Sequence, residues 1–246
     1  MKKLGICGDS YMASMAFNEN DLDNGYNKHF TELLAKKIKW NILTFAKIGC
    51  SNQTIRLQID EIIKEKPDCV IIGTTIPDRV EFPINDFNEY NKLDGLYNID
   101  YRNCPNVSST NHKFNDIDPN FISMTLNDIF TGYKLRFNKQ EIEMLKIWYQ
   151  RFFDKKWKQQ QDSWIISNGL RKLQDNNIPF FCINGFLLHD ELNFFGDKII
   201  TDYTLNPWSY YDNENKYWFH TTLESQQVLA NKWYELFIKH EIIKLI

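Results

Sequence analysis

Apolar residues at the start of the chain form two kinds of pattern. Short continuous runs at 3–7, 41–46 and 68–75 are typical of strands, and the third, "DCVIIGTT", indicates a strand covered on both faces. Between the runs, apolar residues recur at helical spacing: Phe30, Leu33, Leu34 and Ile38, then Ile55, Ile59 and either Ile62 or Ile63. Strands that alternate with helices predict a parallel, doubly wound sheet.

The regular pattern stops after the third predicted strand. Residues 83–137 are rich in Asn, Asp and Tyr and show no sustained periodicity. An irregular stretch of this length in a compact domain is typical of a functional loop or lid, or of a disordered segment. We therefore expect a long insertion over the sheet at this point.

The second half of the chain returns to regular elements. Helix formers dominate from 139 to about 175, which predicts two helices or one long bent helix. The apolar stripe of this region consists of Leu145, Trp148, Tyr149, Phe152 and Phe153. The run "IPFFCING" predicts a fourth strand, and 221–240 predict a final helix. The inward-facing residues of the final helix are expected to be Leu223, Val228, Leu229, Trp233 and Phe237.

Length and charge narrow the class of protein. With 246 residues, 43% of them hydrophobic, the chain can form one substantial core without a second domain. We expect a single three-layer α/β domain of the flavodoxin-like type over 1–246. The formal net charge of −3 provides no field that would gather nucleic acid or an anionic membrane, so neither is an expected partner.

Cysteine usage and the lack of long apolar stretches favour a cytoplasmic protein. The cysteines at positions 7, 50, 69, 104 and 182 are odd in number and lack C-x-x-C spacing, so we expect reduced, mostly buried thiols. No stretch has the length of a signal peptide or the roughly 18 apolar residues of a membrane span. The usual metal-ligand and glycine-rich nucleotide patterns are also missing from the sequence, so no metal or cofactor is expected.

Three glycine-containing loops follow the predicted strands. They are Gly8-Asp9-Ser10, Gly49-Cys50-Ser51-Asn52 and Gly73-Thr74-Thr75. Ligands bind beyond the carboxyl ends of parallel strands, so the loops are expected at one crevice. A serine on a tight turn at a helix start is placed to act as a nucleophile, because backbone N–H groups and the helix end favour a developing anion. His220, just before the final helix, is the expected base.

These motifs resemble the SGNH/GDSL hydrolase superfamily. "GDSY" is similar to its first block, which contains the nucleophilic serine, and "KIGCSN" to its second, which contains an oxyanion-hole glycine. "YWFHTTLESQQVLA" is similar to the last block, which contains the catalytic histidine. The resemblance implies a fold of the SGNH hydrolase type, catalysis by Ser10 and His220, and oxyanion donors on Ser10 and Gly49. "IIGTTIPDRVEF" also resembles a third block of GDSL-like bacteriophage proteins, for which association with a virion is expected.

Two positions depart from the family pattern. Thr75 stands where the third block usually has an asparagine that donates to the oxyanion, and Tyr217 stands where the last block usually has the aspartate that orients the histidine. A threonine hydroxyl is also a donor, so Thr75 is the candidate third oxyanion group. Asp212, Glu214 or a backbone carbonyl is a candidate for orienting His220, and we select Asp212.

Asn52 and Arg79 are the candidate substrate-binding residues. A guanidinium can bind an anionic group through two hydrogen bonds, which favours Arg79 for this role. The alternative for Arg79 is an ordinary ion pair with Asp78 or Glu81, which contributes little at a surface. Asp9 is expected to be structural and to hold the turn.

The segment "KKWK" around Trp157, with Trp148 and Trp164 nearby, has two interpretations. Basic and aromatic residues together suggest single-stranded nucleic acid or a partner helix. The interpretation that we favour is the solvated face of a helix whose aromatic residues belong to the core.

Three hypotheses for function follow. The leading one is a serine esterase, similar to acetyl esterases, that uses a Ser-His dyad or an atypical triad on a small-molecule or carbohydrate ester. The second keeps the fold without the chemistry, as a binding module for a carbohydrate or for a phage structural or host-interaction partner. The third is a flavodoxin-like protein that carries flavin.

Overall fold

The computed structural model describes residues 1–13, 28–46, 50–83, 121–125, 139–187, 190–211 and 221–243. Its strands are β1 (Lys3–Cys7), β2 (Asn41–Thr44), β3 (Cys69–Gly73), β4 (Arg79–Pro83), β5 (Phe121–Thr125), β6 (Phe180–Ile183) and β7 (Ile199–Ile200). Five of these form one parallel sheet in the order β2-β1-β3-β6-β7, and β4 pairs with β5 in a separate antiparallel ribbon. The strand order reverses between β1 and β3, as in a doubly wound sheet.

Helices cover both faces of the sheet. They are α1 (Phe30–Ile38), α2 (Asn52–Lys64), α3 (Lys139–Phe152), α4 (Lys155–Asp175) and α5 (Leu223–Lys239). Within the described residues, short 3-10 helices lie at Asn193–Lys198, Tyr203–Leu205 and Pro207–Tyr210. Side-chain caps fix where the long helices begin: Ser51 accepts from the N–H of Thr54, and Asp154 accepts from that of Trp157. The pairs α1/α5 and α2/α4 pack on opposite faces of the sheet.

The core consists of two apolar layers, one on each face of the sheet. Val70 and Ile72 of β3 belong to the layer beneath α2 and α4, whereas Cys69 and Ile71 belong to the layer beneath α1 and α5. All four are 0% exposed. A strand buried on both faces must be apolar at every position, which explains the unbroken run in the sequence. Trp233 of α5 is also fully buried, and its indole N–H donates to the carbonyl of Leu205 at 3.1 Å.

The predicted α/β class, the parallel sheet and the order of its elements are confirmed. Residues 139–175 form two helices, and β2 ends at Thr44, two residues earlier than expected. From the expected insertion, the structure describes β5, which pairs with β4. The stretches 84–120 and 126–138 lie outside the described residues. The cysteines in the described part of the chain are buried free thiols, as expected.

The aromatic residues of α3 and α4 are not in the core, which corrects the sequence interpretation. No residue of α3 is buried, and Phe152 is 74% exposed. On α4, Trp157 and Trp164 are 54% and 46% exposed. In α5, Leu229, Trp233 and Phe237 are buried as expected, but Val228 is 38% exposed. Helical spacing defines an apolar face, but it does not determine which element covers that face.

His29 is a fully buried histidine that caps α1 and contacts the turn after β1. Its Nε2 lies 3.1 Å from the carbonyl oxygen of Tyr11, which can only accept, so Nε2 carries the proton. Its Nδ1 therefore accepts, and Thr31 is its donor at 2.7 Å. The His29 N–H in turn donates to Glu32 at 3.2 Å, which completes a capping box. Burial lowers the pKa of His29 to about 4, so the ring is neutral in the folded protein.

His29 is expected to make folding sensitive to acid. In the unfolded chain this ring becomes protonated near its ordinary pKa of 6.5, whereas in the folded protein it stays neutral down to about pH 4. Lowering the pH through this window therefore favours unfolding. Between pH 7 and 4.5 the wild type should lose on the order of 2 kcal/mol relative to His29→Gln, measured by urea unfolding. Other titrating groups are common to both proteins and cancel. A stability difference that does not change with pH would contradict the assignment.

Candidate active site

Ser10 lies in a tight turn at the carboxyl end of β1. Gly8 has a φ of +152°, and a Cβ at this position would lie 2.4 Å from Cγ of Met12, so the turn requires glycine. The N–H groups of Met12 and Ala13 both donate to the carbonyl of Asp9 at 3.0 Å. The turn therefore holds Ser10, which is 4% exposed, at the edge of the sheet where β1 and β3 end. This edge is where doubly wound proteins bind ligands.

The buried carboxylate of Asp9 connects three segments at this edge. Its Oδ1 accepts from the N–H of Tyr11 at 3.0 Å, and its Oδ2 accepts from the hydroxyl of Thr75 at 2.8 Å. Nη2 of Arg79 lies 3.7 Å from Oδ2, and Nη1 donates to the carbonyl of Cys50 at 2.8 Å. A carboxylate that is 1% exposed requires such donors and a counter-charge in place of water. Asp9 thus ties the turn after β1 to the end of β3 and the start of β4.

Two buried amide side chains of α2 bind the ends of β1 and β3. Gln58 accepts from the N–H of Gly8 at 2.6 Å and donates to its carbonyl at 3.1 Å. Asn52 accepts from the N–H of Thr75 at 3.0 Å and donates to its carbonyl at 3.0 Å. Both amides are 0% exposed. Each one satisfies backbone groups that would otherwise be buried without a partner at the end of a strand.

A buried ionic network lies behind Asn52. Its amide also donates to Oδ2 of Asp162 at 2.9 Å, and the other oxygen of Asp162 binds the ammonium of Lys158. The same ammonium lies 3.3 Å from Oε2 of Glu81. Burial raises the pKa of Asp162 to about 6, although the Lys158 ammonium beside it lowers it. The network joins α2, α4 and β4 beside the candidate site.

Aromatic rings surround the residue that follows Ser10. The ring of Tyr11 stacks on Trp208 with centroids 3.8 Å apart, and Phe186 meets Trp208 edge-on at 5.0 Å. Tyr211 lies 6.4 Å from Tyr11. Burial, assisted by the Asp9 carboxylate, raises the pKa of Tyr11 above its ordinary value, so its hydroxyl stays neutral. The rings provide an apolar wall of the kind that ligand sites usually contain.

The structure brings four of the expected site residues to one region, namely Ser10, Asn52, Thr75 and Arg79. Gly49, Asp212 and His220 lie outside the described residues, so their expected roles stay predictions. The first turn after Ser10 is described, but residues 14–27 are not, and the helix start expected there is also a prediction.

Asn52 and Arg79 bind other parts of the protein, and their expected role in substrate binding stays a prediction. Both hydrogens of the Asn52 amide nitrogen already have acceptors, on Thr75 and Asp162. Arg79 is directed at Asp9 and at a backbone carbonyl and is 9% exposed. It does not pair with Asp78 or Glu81 either, because these bind Lys155 and Lys158.

Thr75 has a defined partner for its hydroxyl proton, the carboxylate of Asp9. To donate to an oxyanion, this hydroxyl must break its hydrogen bond to Asp9 and form one to the substrate. The role of Thr75 in an oxyanion hole stays a prediction, and it requires this change of hydrogen-bond partner. The expectation that Asp9 is structural agrees with the contacts described above.

Gln58 and Asp162 are the important side chains that the sequence analysis missed. Gln58 lies within the apolar stripe Ile55, Ile59 and Ile62 of α2, and a polar residue on a buried face must have a buried partner. That signal was present in the sequence. Asp162 gave no such signal, because the surrounding "KQQQDS" is polar throughout.

Neither a metal site nor a membrane span is found in the part of the chain that the structure describes. No three His, Cys, Asp or Glu side chains group there in a way that could hold a metal ion. None of the helices described combines the length and the apolar character needed to cross a bilayer.

The chain is similar to several solved structures. A lipolytic-type G-D-S-L family protein from Desulfitobacterium hafniense DCB-2 aligns with a TM-score of 0.34 and 9% identity, over 99% of this chain and 75% of that chain. The psychrotrophic esterase EstA from Pseudoalteromonas sp. aligns with a TM-score of 0.44 and 9% identity, over 98% and 99%. The acetyl xylan esterase AlAXEase aligns with a TM-score of 0.33 and 9% identity, over 97% and 83%. A scan of protein-family models and a search of curated proteins gave no match. Similarity of this degree assigns no activity, so the chemistry rests on the residues.

The amide of Asn52 is expected to be essential for stability. In Asn52→Ala, the N–H and carbonyl of Thr75 lose their partner and Asp162 loses a donor, which should cost about 2–4 kcal/mol in the free energy of unfolding. Urea unfolding measures this loss. Gln53→Ala is the matched control, because the Gln53 amide has no hydrogen-bond partner among the described residues, and it should change stability by less than about 0.5 kcal/mol. Equal stabilities for the two variants would show that Asn52 does not hold the strand end.

Proposed function

We propose that the protein is a serine ester hydrolase of the SGNH type that acts on small-molecule or carbohydrate esters. Ser10 is the nucleophile and His220 is the base. One observation carries the proposal: Ser10 lies on a rigid turn at the end of β1, an inner strand of the sheet, beside the point where strand order reverses. The buried Asp9 and Gln58 fix this turn on both sides.

The reaction has two steps, and in each of them His220 first accepts a proton and then gives it up. Oγ of Ser10 attacks the ester carbonyl while His220 takes its proton, and His220 then gives that proton to the leaving alcohol. Water attacks the acyl-serine in the second step, again through His220, and releases the carboxylic acid and free Ser10. In a dyad, His220 works without an acidic partner, and in an atypical triad Asp212 orients its ring.

The oxyanion of each tetrahedral intermediate is held by the N–H groups of Ser10 and Gly49. The low exposure of Ser10 supports this arrangement, because hydrogen bonds to an oxyanion are strongest where water is excluded. Thr75 adds a third donor once its hydroxyl turns from Asp9 to the substrate. The rings of Tyr11 and Trp208 contact the apolar part of the ester.

A second candidate function is a binding module that keeps the fold without the reaction. The observation that favours it is that two donors at the site already have acceptors within the protein. The Thr75 hydroxyl donates to Asp9, and the Asn52 amide donates to a backbone carbonyl. A site without these donors can bind a carbohydrate or a protein partner while hydrolysing esters slowly or not at all.

Turnover of p-nitrophenyl acetate by three proteins distinguishes the two candidates. The wild type should hydrolyse this ester, and Ser10→Ala should lower kcat/KM by about 10³-fold or more, because the nucleophile is lost. Ser167→Ala removes another buried serine, on α4, and should leave kcat/KM within about twofold.

Two outcomes would contradict the proposal. One is turnover by Ser10→Ala at the wild-type rate, which would assign the reaction to another group. The other is a folded wild type that releases no p-nitrophenol above the rate in buffer, which would favour the binding module.

A further inference from the structure

A groove of about 400 Å³ lies beside the candidate active site, between α2, β4 and α4. It is lined by Gln53, Glu81, Lys158, Gln161, Trp164 and Ile165. Gln53 directly follows Asn52 on α2, and Glu81 lies two residues from Arg79, on the same side of β4. The volume is within the range of small-molecule sites.

Two side-chain amides in the groove are available to a ligand. In the run Gln159-Gln160-Gln161, the first amide donates to the carbonyl of Phe186 at 3.1 Å and the second to Glu191 at 3.0 Å. The third, Gln161, has no hydrogen-bond partner among the described residues, and the same holds for Gln53. A primary amide both donates and accepts, so the pair matches groups that do the same.

The charges in the groove are already paired. Lys158 binds Asp162 and lies 3.3 Å from Oε2 of Glu81. Because these two carboxylates already compensate its positive charge, Lys158 does not favour an anionic ligand. Oε1 of Glu81 is buried and has no hydrogen-bond partner in the described part of the chain. Because this oxygen has almost no accessible surface, the groups that the groove offers to a ligand are the two amides.

An exposed aromatic platform completes the groove. Trp164 is 46% exposed, and the ring of Trp157 stands against it at 88° with centroids 5.6 Å apart, which fixes its orientation. A flat apolar ring that is open to solvent suits a ligand with one C–H face. Pyranose sugars combine such a face with a rim of hydroxyl groups.

We propose that this groove binds a neutral saccharide, whose ring lies on Trp164 and whose hydroxyls bind Gln53 and Gln161. The site is separate from the Ser10 turn and does not depend on the proposed hydrolysis. The proposal gives a function to Trp164, an exposed tryptophan that is not part of the core.

Calorimetric titration with four neutral tetrasaccharides tests the proposal: cellotetraose, xylotetraose, maltotetraose and tetra-N-acetylchitotetraose. None contains an ester, so the result is independent of whether Ser10 is a nucleophile. At least one should bind at concentrations up to about 5 mM, which detects a millimolar complex. Trp164→Ala should then weaken binding about tenfold or more, and Gln161→Ala about threefold to tenfold.

Two variants serve as matched controls. Gln160→Ala removes the neighbouring amide, which faces Glu191, and Phe194→Ala removes an aromatic ring that is 71% exposed outside the groove. Both should keep the Kd within about twofold. Tetragalacturonate, which is anionic, should bind more weakly than the neutral sugars.

Four outcomes would overturn the proposal. These are no binding by any tetrasaccharide, wild-type affinity in Trp164→Ala, tighter binding of tetragalacturonate, or the same loss in the Phe194→Ala control. Sedimentation of the wild type and of Trp164→Ala tests whether a second copy of the chain occupies the groove instead. A dimer that forms only when Trp164 is present, without saccharide binding, would assign the face to a second copy of the chain instead.

Discussion

The buried carboxylate of Asp9 is the constraint on which the rest of the site depends. A charge with so little contact with water must be compensated by the protein, and each donor comes from a different segment: Tyr11 from the turn, Thr75 from the end of β3, and Arg79 from the start of β4. Because all of them must converge on two oxygen atoms, the relative position of these segments is fixed. Ser10, directly between Asp9 and Tyr11 in the chain, is fixed with them.

Helix α2 provides the second level of support. Its buried face is not purely apolar, since Asn52 and Gln58 replace the ladder hydrogen bonds that end with β3 and β1. One rigid helix therefore holds both strand ends that border the candidate site. The Asp162 network links the same helix to α4, and through Lys158 to Glu81 of β4, so the proposed saccharide groove and the Ser10 turn share one framework.

The sheet could be predicted from sequence because its signal is local. A run such as Cys69–Gly73 is apolar at every position only where both faces are covered, and the intervening helices have clear periodicity. The position of Ser10 follows from the same reasoning. The partners of Arg79 and Asn52 could not be predicted, because Asp9 and Thr75 are distant in the chain and many acidic and polar residues compete for the same assignment. The exposure of Trp164 also required the structure, since periodicity does not determine what covers a helix face.

The central claim, that this framework presents Ser10 as a nucleophile, is tested most directly by locating a covalent adduct. The folded protein is treated with a fluorophosphonate and digested with trypsin, and the modified residue is identified by tandem mass spectrometry. The account predicts one phosphonyl group, on Ser10 in the peptide that spans residues 4–28. An adduct on a different residue, or no adduct on the folded protein, would contradict it.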